Sequence, residues 1–512
     1  MAEPVERFLA NACPDHRVRG GSAHRVAKHT AEALLRQFPG IARHSIHAAV
    51  VCGELDEVRR MLREDPTAAR RPGGPKGSSG VGGATFILED VTPDPPLWEP
   101  LLYLGFARLD HDATNENALA IAELLLDHGA DSNASFMAGD SRYTPLTGVI
   151  GEGEEERLPH PRCEELTRLL LERGAEPYDM QVVYNIHFRG RVLWFLKLMH
   201  ARSIALGRDA DWADPSWSML AMGNYGNGAR WHLEIALEHD DLELAAWCLD
   251  HGADPNAAPA TDRRFPRGSL LEEALKRSSL AIARLLEQHG AKMPEDIAMA
   301  PLEHFTAAAV RLHRPEAVAF ARSHPEVLRS ATALHLAAER NRADVVRLLL
   351  ELGVPPSLSH PEQSGEHALH TAAYRGSVEV AKLLIAHGAE IDPRESRFGA
   401  TPLGFAVWAE RPGMIELLGT VSRDVWNLSF TGQVARLREL LEAEPALARS
   451  AHADGETPIM RLTPDEPKAM EIVRLFLAHG ADAAARNADG RTAADLASLR
   501  GMNEVASLLA AR

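Results

Sequence analysis

Leucine-rich segments recur along the chain, and most of them end in a glycine followed by alanine. Examples are LLLDHGAD at 124–131, LLIAHGAE at 383–390 and LFLAHGAD at 475–482. Within 345–350, valine and leucine lie at helical spacing and form an apolar stripe. A glycine after such a stripe favours the left-handed conformation that ends a helix. The pattern predicts helices that end at glycine and bury one side against a neighbour.

A second recurring segment lies upstream of these helices and begins with Thr or Thr-Pro. It reads TPLTGVI from Thr144, TALHLAA from Thr332 and TPLGFAV from Thr401. A threonine hydroxyl accepts a hydrogen bond from a free N–H at the start of a helix, and proline tolerates the next position because no N–H is needed there. We expect the same cap at Thr457. The two segments together predict repeated pairs of helices.

These two segments resemble the ankyrin repeat, which has a period of about 33 residues and begins T-P-L-H-x-A. The resemblance covers about four-fifths of the chain, in about twelve units of which several are degenerate, and it points to a bacterial protein. It implies an all-α solenoid of stacked helix-turn-helix units with short β-turn fingers. It implies protein binding only as a class of function, since a fold does not specify a partner.

The positions of the recurring segments divide the chain into four parts. A stretch rich in Gly, Pro and Ser at 72–96 predicts a loop within the second part. The parts are an N-terminal helical cap at 1–43, repeats at 44–178, an aromatic-rich insert at 179–228, and repeats with a C-terminal cap at 229–512.

The segment from Tyr178 to Trp247 interrupts the repeats and holds five of the eight tryptophans. Trp and Arg are enriched at the residues that dominate protein interfaces, so we expect a specialised site here, with at least two of its five candidate rings exposed. The alternative interpretation is that the rings only fill the space beside one enlarged unit. The candidates are Arg189, Trp194, Trp212, Trp217, Tyr225, Arg230 and Trp231.

The regular repeats offer further candidates, because residues without a packing role line the concave face of a repeat stack. For each of them, ordinary solvated surface is the alternative interpretation. These candidates are Tyr143, Phe265, Arg340, Tyr374, Phe398 and Trp408.

Composition narrows the classes of partner. The chain has 72 acidic and 55 basic residues, a formal charge of −17, and no sustained basic run, so we expect no nucleic-acid partner. No apolar stretch is long enough to insert into a membrane. The four cysteines lie far apart and indicate neither disulfides nor a zinc site. Without a Sec-type signal, we expect a cytoplasmic monomer; other export routes stay open.

Five of the histidines stand at one position, directly before a helix-ending glycine. There the imidazole can bond to a carbonyl of the last turn, so we predict no metal and no cofactor. The glycines of 223–228, GNYGNG, run in the reverse order of a dinucleotide-binding loop. No hydrolase or protease signature is present. The five are His128, His251, His289, His387 and His479.

The leading hypothesis is therefore a protein-interaction scaffold that binds a protein partner along its concave face and has no catalytic activity. Two alternatives stay open. One is an enzyme or small-ligand-binding protein with its site in 178–247, where His187, Asp211 and Asp214 could converge with the arginines. The other is an exported bacterial effector that acts on host proteins.

Overall fold

A computed structural model describes most of the 512-residue chain, and helices dominate the described residues. These residues form two compact units: the first holds those up to 208 and from 432 onward, and the second holds those from 228 to 431. The four-part division made from the sequence stays a prediction. The described residues are 2–14, 21–73, 98–138, 141–151, 153, 156–186, 192–208, 228–257, 268–292, 300–360, 364–452 and 455–511.

The first unit begins with a pair of helices, followed by shorter helix pairs and one antiparallel hairpin in which Phe136 faces Tyr143. Short 3-10 helices cover Pro39–Arg43 and Pro66–Arg70. The elements are α1 Ala2–Ala12, α2 Gly21–Gln37, α3 Ile46–Val51, α4 Leu55–Glu64, α5 Pro100–Phe106, α6 Asp112–Asp127, β1 Phe136–Ala138, β2 Ser141–Tyr143, α7 Pro145–Ile150, α8 Cys163–Glu172, α9 Met180–Ile186 and α10 Leu193–Ala205.

The second unit consists of helix pairs stacked in chain order, together with a 3-10 helix at Pro325–Arg329. Its helices are α11 Gly228–His239, α12 Leu242–Asp250, α13 Leu270–Lys276, α14 Leu280–Gln288, α15 Pro301–Val310, α16 Arg314–Ser323, α17 Thr332–Glu339, α18 Ala343–Glu351, α19 Ala368–Arg375, α20 Val378–Ala386, α21 Pro402–Trp408, α22 Pro412–Gly419 and α23 Val425–Thr431.

The remaining elements of the first unit come from the C-terminal part of the chain. Two 3-10 helices, Pro445–Arg449 and Pro458–Met460, accompany them. The α-helices are α24 Val434–Ala443, α25 Glu466–Ala478, α26 Ala493–Leu499 and α27 Asn503–Ala510. The expected all-α architecture of stacked helix pairs is thus confirmed.

The predicted helix starts hold at two of the three Thr-Pro sites. The Thr144 hydroxyl accepts from the N–H of Thr147 at 3.2 Å, and that of Thr401 accepts from the N–H of Gly404 at 3.1 Å. Thr457 was expected to cap in the same way, and this is wrong. It precedes a 3-10 helix, in which the N–H groups are spaced differently, and its side chain makes no cap bond.

The helix ends follow the sequence pattern closely. Gly129 and Gly388 have φ of +85° and +84°, in the left-handed range that favours glycine. The histidine before each of them bonds through Nδ1 to the carbonyl four residues earlier, at 2.8 Å for both His128 and His387. The same bond recurs at 2.7 Å for His251. The structural role predicted for these histidines is confirmed.

Asparagine side chains join successive repeats within each unit. In the first unit, the Asn133 amide donates to the carbonyl of Gly174 at 2.8 Å and accepts from the N–H of Glu176 at 2.9 Å. In the second unit, Asn256 makes the matching bonds to Gly290 at 3.0 Å and Lys292 at 2.8 Å. Neighbouring repeats are therefore fixed in register by polar bonds as well as by their apolar stripes.

Candidate functional site: the inner face of the second unit

Three consecutive repeats of the second unit present the same side of their first helices, α17, α19 and α21. Each of these helices is followed by a turn residue in the left-handed range: Asn341, Gly376 and Glu410, with φ of +51°, +74° and +50°. The residues five and two positions before each turn residue are only partly buried. We call these six residues the inner face: Leu336, Glu339, Thr371, Tyr374, Phe405 and Trp408.

Side-chain contacts make the inner face continuous from one repeat to the next. The Thr371 hydroxyl lies 3.0 Å from Nδ1 of His335 on the preceding helix. The ring of Tyr374 meets that of Phe405 on the following helix edge to face, with centroids 6.5 Å apart. The face is therefore one surface that crosses three repeats.

Polar bonds at both ends of the first helices hold this surface in place. At the start of α21, the Thr401 hydroxyl donates to the Asp424 carboxylate at 2.7 Å. At the other end, Nε of Arg411 donates to the Tyr374 carbonyl at 2.8 Å, and Arg342 donates to the Val310 carbonyl at 3.4 Å. These arginines satisfy carbonyls that a helix end leaves unbonded.

Charge on the inner face is concentrated at one end. The Arg375 guanidinium lies 3.1 Å from the Glu339 carboxylate and 3.4 Å from that of Glu238 on α11. All three side chains are about a quarter to a third exposed. Two carboxylates thus share one guanidinium, and Arg340 lies near enough to Glu339 for their charges to interact.

Arg340, predicted to contact a partner, instead bonds within the second unit. Its guanidinium donates to the carbonyls of Arg277 at 2.9 Å and Leu237 at 3.3 Å, and to the Ser279 hydroxyl at 3.1 Å. Burial lowers its pKa. The structure therefore corrects its interpretation as a free surface residue: Arg340 ties together the ends of first helices from three repeats.

The finger that precedes α21 carries Phe398, the most exposed of the aromatic candidates that the structure describes. Phe398 is 56% exposed, and the Arg397 guanidinium lies 4.8 Å from its ring centroid. Below them, the buried Glu395 carboxylate accepts from the N–H groups of Arg397, Phe398 and Ala400 at 2.6, 2.8 and 3.0 Å. Burial and the neighbouring Glu395 raise the pKa of Glu366 to about 7.

Three other candidates for partner contact are buried, so their side chains do not form exposed contacts. Tyr143 is 8% exposed and stacks on Phe136, with centroids 5.2 Å apart. Arg230 is 1% exposed, and its guanidinium donates to Glu234 and to the Ala257 carbonyl, both at 2.8 Å. Trp231, the next residue in the sequence, is 7% exposed. These side chains stabilise the repeats they belong to.

Among the remaining candidates, only Trp194 falls within the described residues, on α10, where it is partly exposed. The expectation of at least two exposed rings in the aromatic segment therefore stays a prediction, with Trp231 excluded. The other candidates lie outside the described residues: Arg189, Trp212, Trp217, Tyr225 and Phe265, together with His187, Asp211 and Asp214.

Sequence reasoning missed the inner-face residues that lie five positions before the turn residue, Leu336, Thr371 and Phe405. The sequence marks them only weakly as surface residues, because a leucine or phenylalanine in the first helix of a repeat is typical of the core. Only the position of the turn residue shows that these side chains point away from the packed side.

Within the described residues, no group of three or more His, Cys, Asp or Glu side chains is arranged to hold a metal ion. No described helix combines the length and apolarity needed to cross a membrane. The four cysteines are free thiols.

Comparison with known families gives a match over the repeats that carry the inner face. Residues 334–426 match the family described as "Ankyrin repeats (3 copies)". The chain therefore contains ankyrin repeats, as the sequence predicted, and the match spans all six inner-face residues.

Several characterised proteins share such repeats with this chain. The chain is 40% identical to protein PhlB of Serratia liquefaciens over 83 residues, 16% of this chain and 36% of that protein. It is 33% identical to the NF-kappa-B inhibitor cactus of Drosophila melanogaster over 81 residues, 15% and 16% of the two chains. It is 31% identical to the mouse B-cell lymphoma 3 protein homolog over 141 residues, 25% and 32%. The matches thus span about a third or less of each relative.

Proposed function

We propose that this chain is a protein-interaction scaffold that binds a protein partner on the inner face of its second unit, without catalysing a reaction. The observation that carries the proposal is the aromatic pair Tyr374 and Trp408, partly exposed at matching positions of successive ankyrin repeats. Tyrosine and tryptophan combine a large apolar area with a polar group, and truncating them costs more binding energy than truncating most other interface residues.

The surroundings of the pair favour macromolecular binding. The ring of Tyr374 packs against Phe405 on the next repeat, and the charged guanidinium of Arg375 lies beside the Tyr374 ring. Interfaces of this kind combine an apolar centre with a polar rim. Because the supporting helices are held at both ends by Thr401 and Arg411, the rings are presented on a rigid surface, which lowers the entropy lost on binding.

The relatives support the same class of function. One of them is named as an inhibitor of NF-kappa-B, a description that concerns that protein. The similarity covers 15% of this chain and 16% of that protein. We propose that binding to another protein is the property the shared repeats confer here.

Site-specific photo-crosslinking tests the proposal. A benzophenone amino acid replaces Tyr374 in the full-length chain, and a matched version replaces Lys382, which is exposed on the outer helix α20. After irradiation in extract of the source organism, position 374 should give a discrete protein adduct that position 382 does not. Trp408→Ala should weaken the adduct by about tenfold or more. Equal labelling from both positions would refute binding at the inner face.

A further inference from the structure

Several repeats carry a glycine at the turn between their two helices, in the left-handed range with φ between +72° and +74°. Because glycine has no Cβ, a neighbouring residue can lie directly against the backbone at such a turn. The identity of that neighbour shows what each repeat packs on. We call these residues the turn glycines: Gly53, Gly376, Gly432 and Gly501.

At three of the turn glycines, the neighbour belongs to the next repeat along the chain. A Cβ on Gly376 or Gly432 would lie 3.1 Å from the neighbouring side chain, and one on Gly53 would overlap the neighbouring backbone. Each neighbour lies in the second helix of the following repeat or directly before it. The turn glycines therefore mark the surface on which a repeat receives its successor. The pairs are Gly53 with Ala113, Gly376 with Arg411, and Gly432 with Lys468.

At Gly501, the neighbour comes instead from the N-terminal part of the chain. Gly501 lies between α26 and α27, and a Cβ there would lie 3.1 Å from Cβ of Ala33 on α2. Beside it, the Arg7 guanidinium on α1 donates to the carbonyl of Leu499 at 3.2 Å. Leu499 is the last residue of α26, where a helix leaves carbonyls without a partner of its own. Both N-terminal helices thus meet the turn that follows α26.

The same helix pair also covers the first repeat of the unit. Helix α1 packs on α2 and on α3, and Ala31 and Leu34 of α2 share a hydrophobic cluster with Val51 of α3. Ala33 lies two positions from Ala31, which places it near the opposite side of the helix. One side of α2 therefore belongs to the first repeat, and the other side reaches the repeat formed by α26 and α27.

We infer that α1 and α2 form a clasp, in which α2 takes the place of a following repeat against the turn after α26. The clasp joins two parts of the first unit whose contact residues, Arg7 and Leu499, are 492 positions apart. In a repeat stack, stability passes between neighbours. The clasp makes neighbours of repeats that are distant in the sequence, so a loss of structure in one should reach the other. This inference does not depend on the binding site proposed above.

Hydrogen exchange of the full-length chain, followed by mass spectrometry, tests the clasp from its C-terminal side. Gly501→Ala places a methyl group against Ala33. Its matched control is Gly490→Ala, because Gly490 has φ +71°, lies in the finger before α26 and has open space around it. Both substitutions strain the same repeat, and only the first disturbs the clasp. We expect Gly501→Ala to raise exchange in α2 about fivefold or more, and Gly490→Ala to leave it within about twofold of the wild type.

The reciprocal substitution tests the clasp from its N-terminal side, since a coupling between two sites acts equally in both directions. Ala33→Leu enlarges the side chain that faces Gly501 and changes helix propensity little. Exchange should rise about fivefold or more in α26 and α27. Arg36→Leu, at an exposed position of α2, should leave exchange in these two helices unchanged.

The outcomes that would overturn the clasp are distinct. Exchange that rises only in the substituted repeat or helix, in either variant, would show that the two parts touch without being coupled. An equal rise in α2 from Gly501→Ala and Gly490→Ala would show that strain within the repeat, and not the contact with Ala33, causes the effect. If Gly501→Ala unfolds its own repeat by circular dichroism, Ala33→Leu decides the question alone, because it leaves the sequence of that repeat intact.

Discussion

Glu366→Gln is the most direct test of the electrostatics in the finger beside the inner face. Glu366 is partly buried near the Glu395 carboxylate, which accepts hydrogen bonds from three backbone N–H groups. Burial first, and then the charge of Glu395, raise the pKa of Glu366 from its ordinary value of 4.5 to about 7, against the opposing charge of Arg397. The folded chain therefore retains a proton that the unfolded chain releases.

The sign and size of the effect follow from this difference in pKa. Between pH 4.5 and about 7 the folded state binds more protons than the unfolded state, so the free energy of unfolding decreases as pH rises through that range. The difference corresponds to about 3 kcal/mol, which partial solvent access reduces to about 2 kcal/mol. Glutamine has the same shape and no charge, so the substitution should remove this loss.

Denaturant unfolding of the wild-type chain and the variant at pH 5, 6, 7 and 8 measures the effect. The stability difference should grow with pH and reach about 2 kcal/mol in favour of Glu366→Gln at pH 8. Glu390→Gln removes an exposed carboxylate from the same repeat and should follow the wild-type profile. If Glu366→Gln runs parallel to the wild type at every pH, the carboxylate pair is solvated and the argument fails.

Three further predictions concern packing and backbone strain. Leu349→Ala truncates a fully buried leucine of α18 and should lower the free energy of unfolding by about 2–5 kcal/mol. Hydrogen exchange should rise first in the adjacent repeats, because each repeat packs only on its neighbours. A uniform rise along the chain would contradict this. Leu312 has φ +56°, so Leu312→Gly should raise the free energy of unfolding by about 0.5–1 kcal/mol in denaturant unfolding. Asn341→Gly should change it little, because asparagine tolerates that conformation. A loss of stability with Leu312→Gly would mean that the packing of the leucine side chain outweighs the backbone strain. Trp231→Ala should lower the melting temperature by several degrees because its ring is buried, whereas Trp408→Ala should change the melting temperature little. Equal decreases in melting temperature would show that Trp408 is part of the core.

The buried arginine candidates differ from the inner-face residues in what their side chains contact. Arg340 and Arg230 carry the charge expected of interface residues, yet both bond to carbonyls of their own unit. Arginine suits this task because its guanidinium presents several donors in one plane and stays charged when partly buried. Charge type alone therefore does not distinguish a binding arginine from one that ties repeats together.

Local rules in the sequence predicted the regular parts of this protein. The threonine caps at 144 and 401, the glycines at 129 and 388 and the histidines before those glycines act within one helical turn. Interactions of such short range depend only on residues that are close in the sequence, so the sequence is enough to predict their positions. The recurrence of these local signals was enough to identify helix pairs and the ankyrin repeat.

Only the tertiary structure decided which side chains reach solvent. Tyr143 and Tyr374 are both aromatic candidates in regular repeats, yet Tyr143 stacks on Phe136 while Tyr374 stays partly exposed on the inner face. The pairing of Arg375 with Glu238 joins residues 137 positions apart. Such contacts depend on how successive repeats rotate against one another, and that rotation is set by packing summed over many residues, which no single segment of the sequence contains.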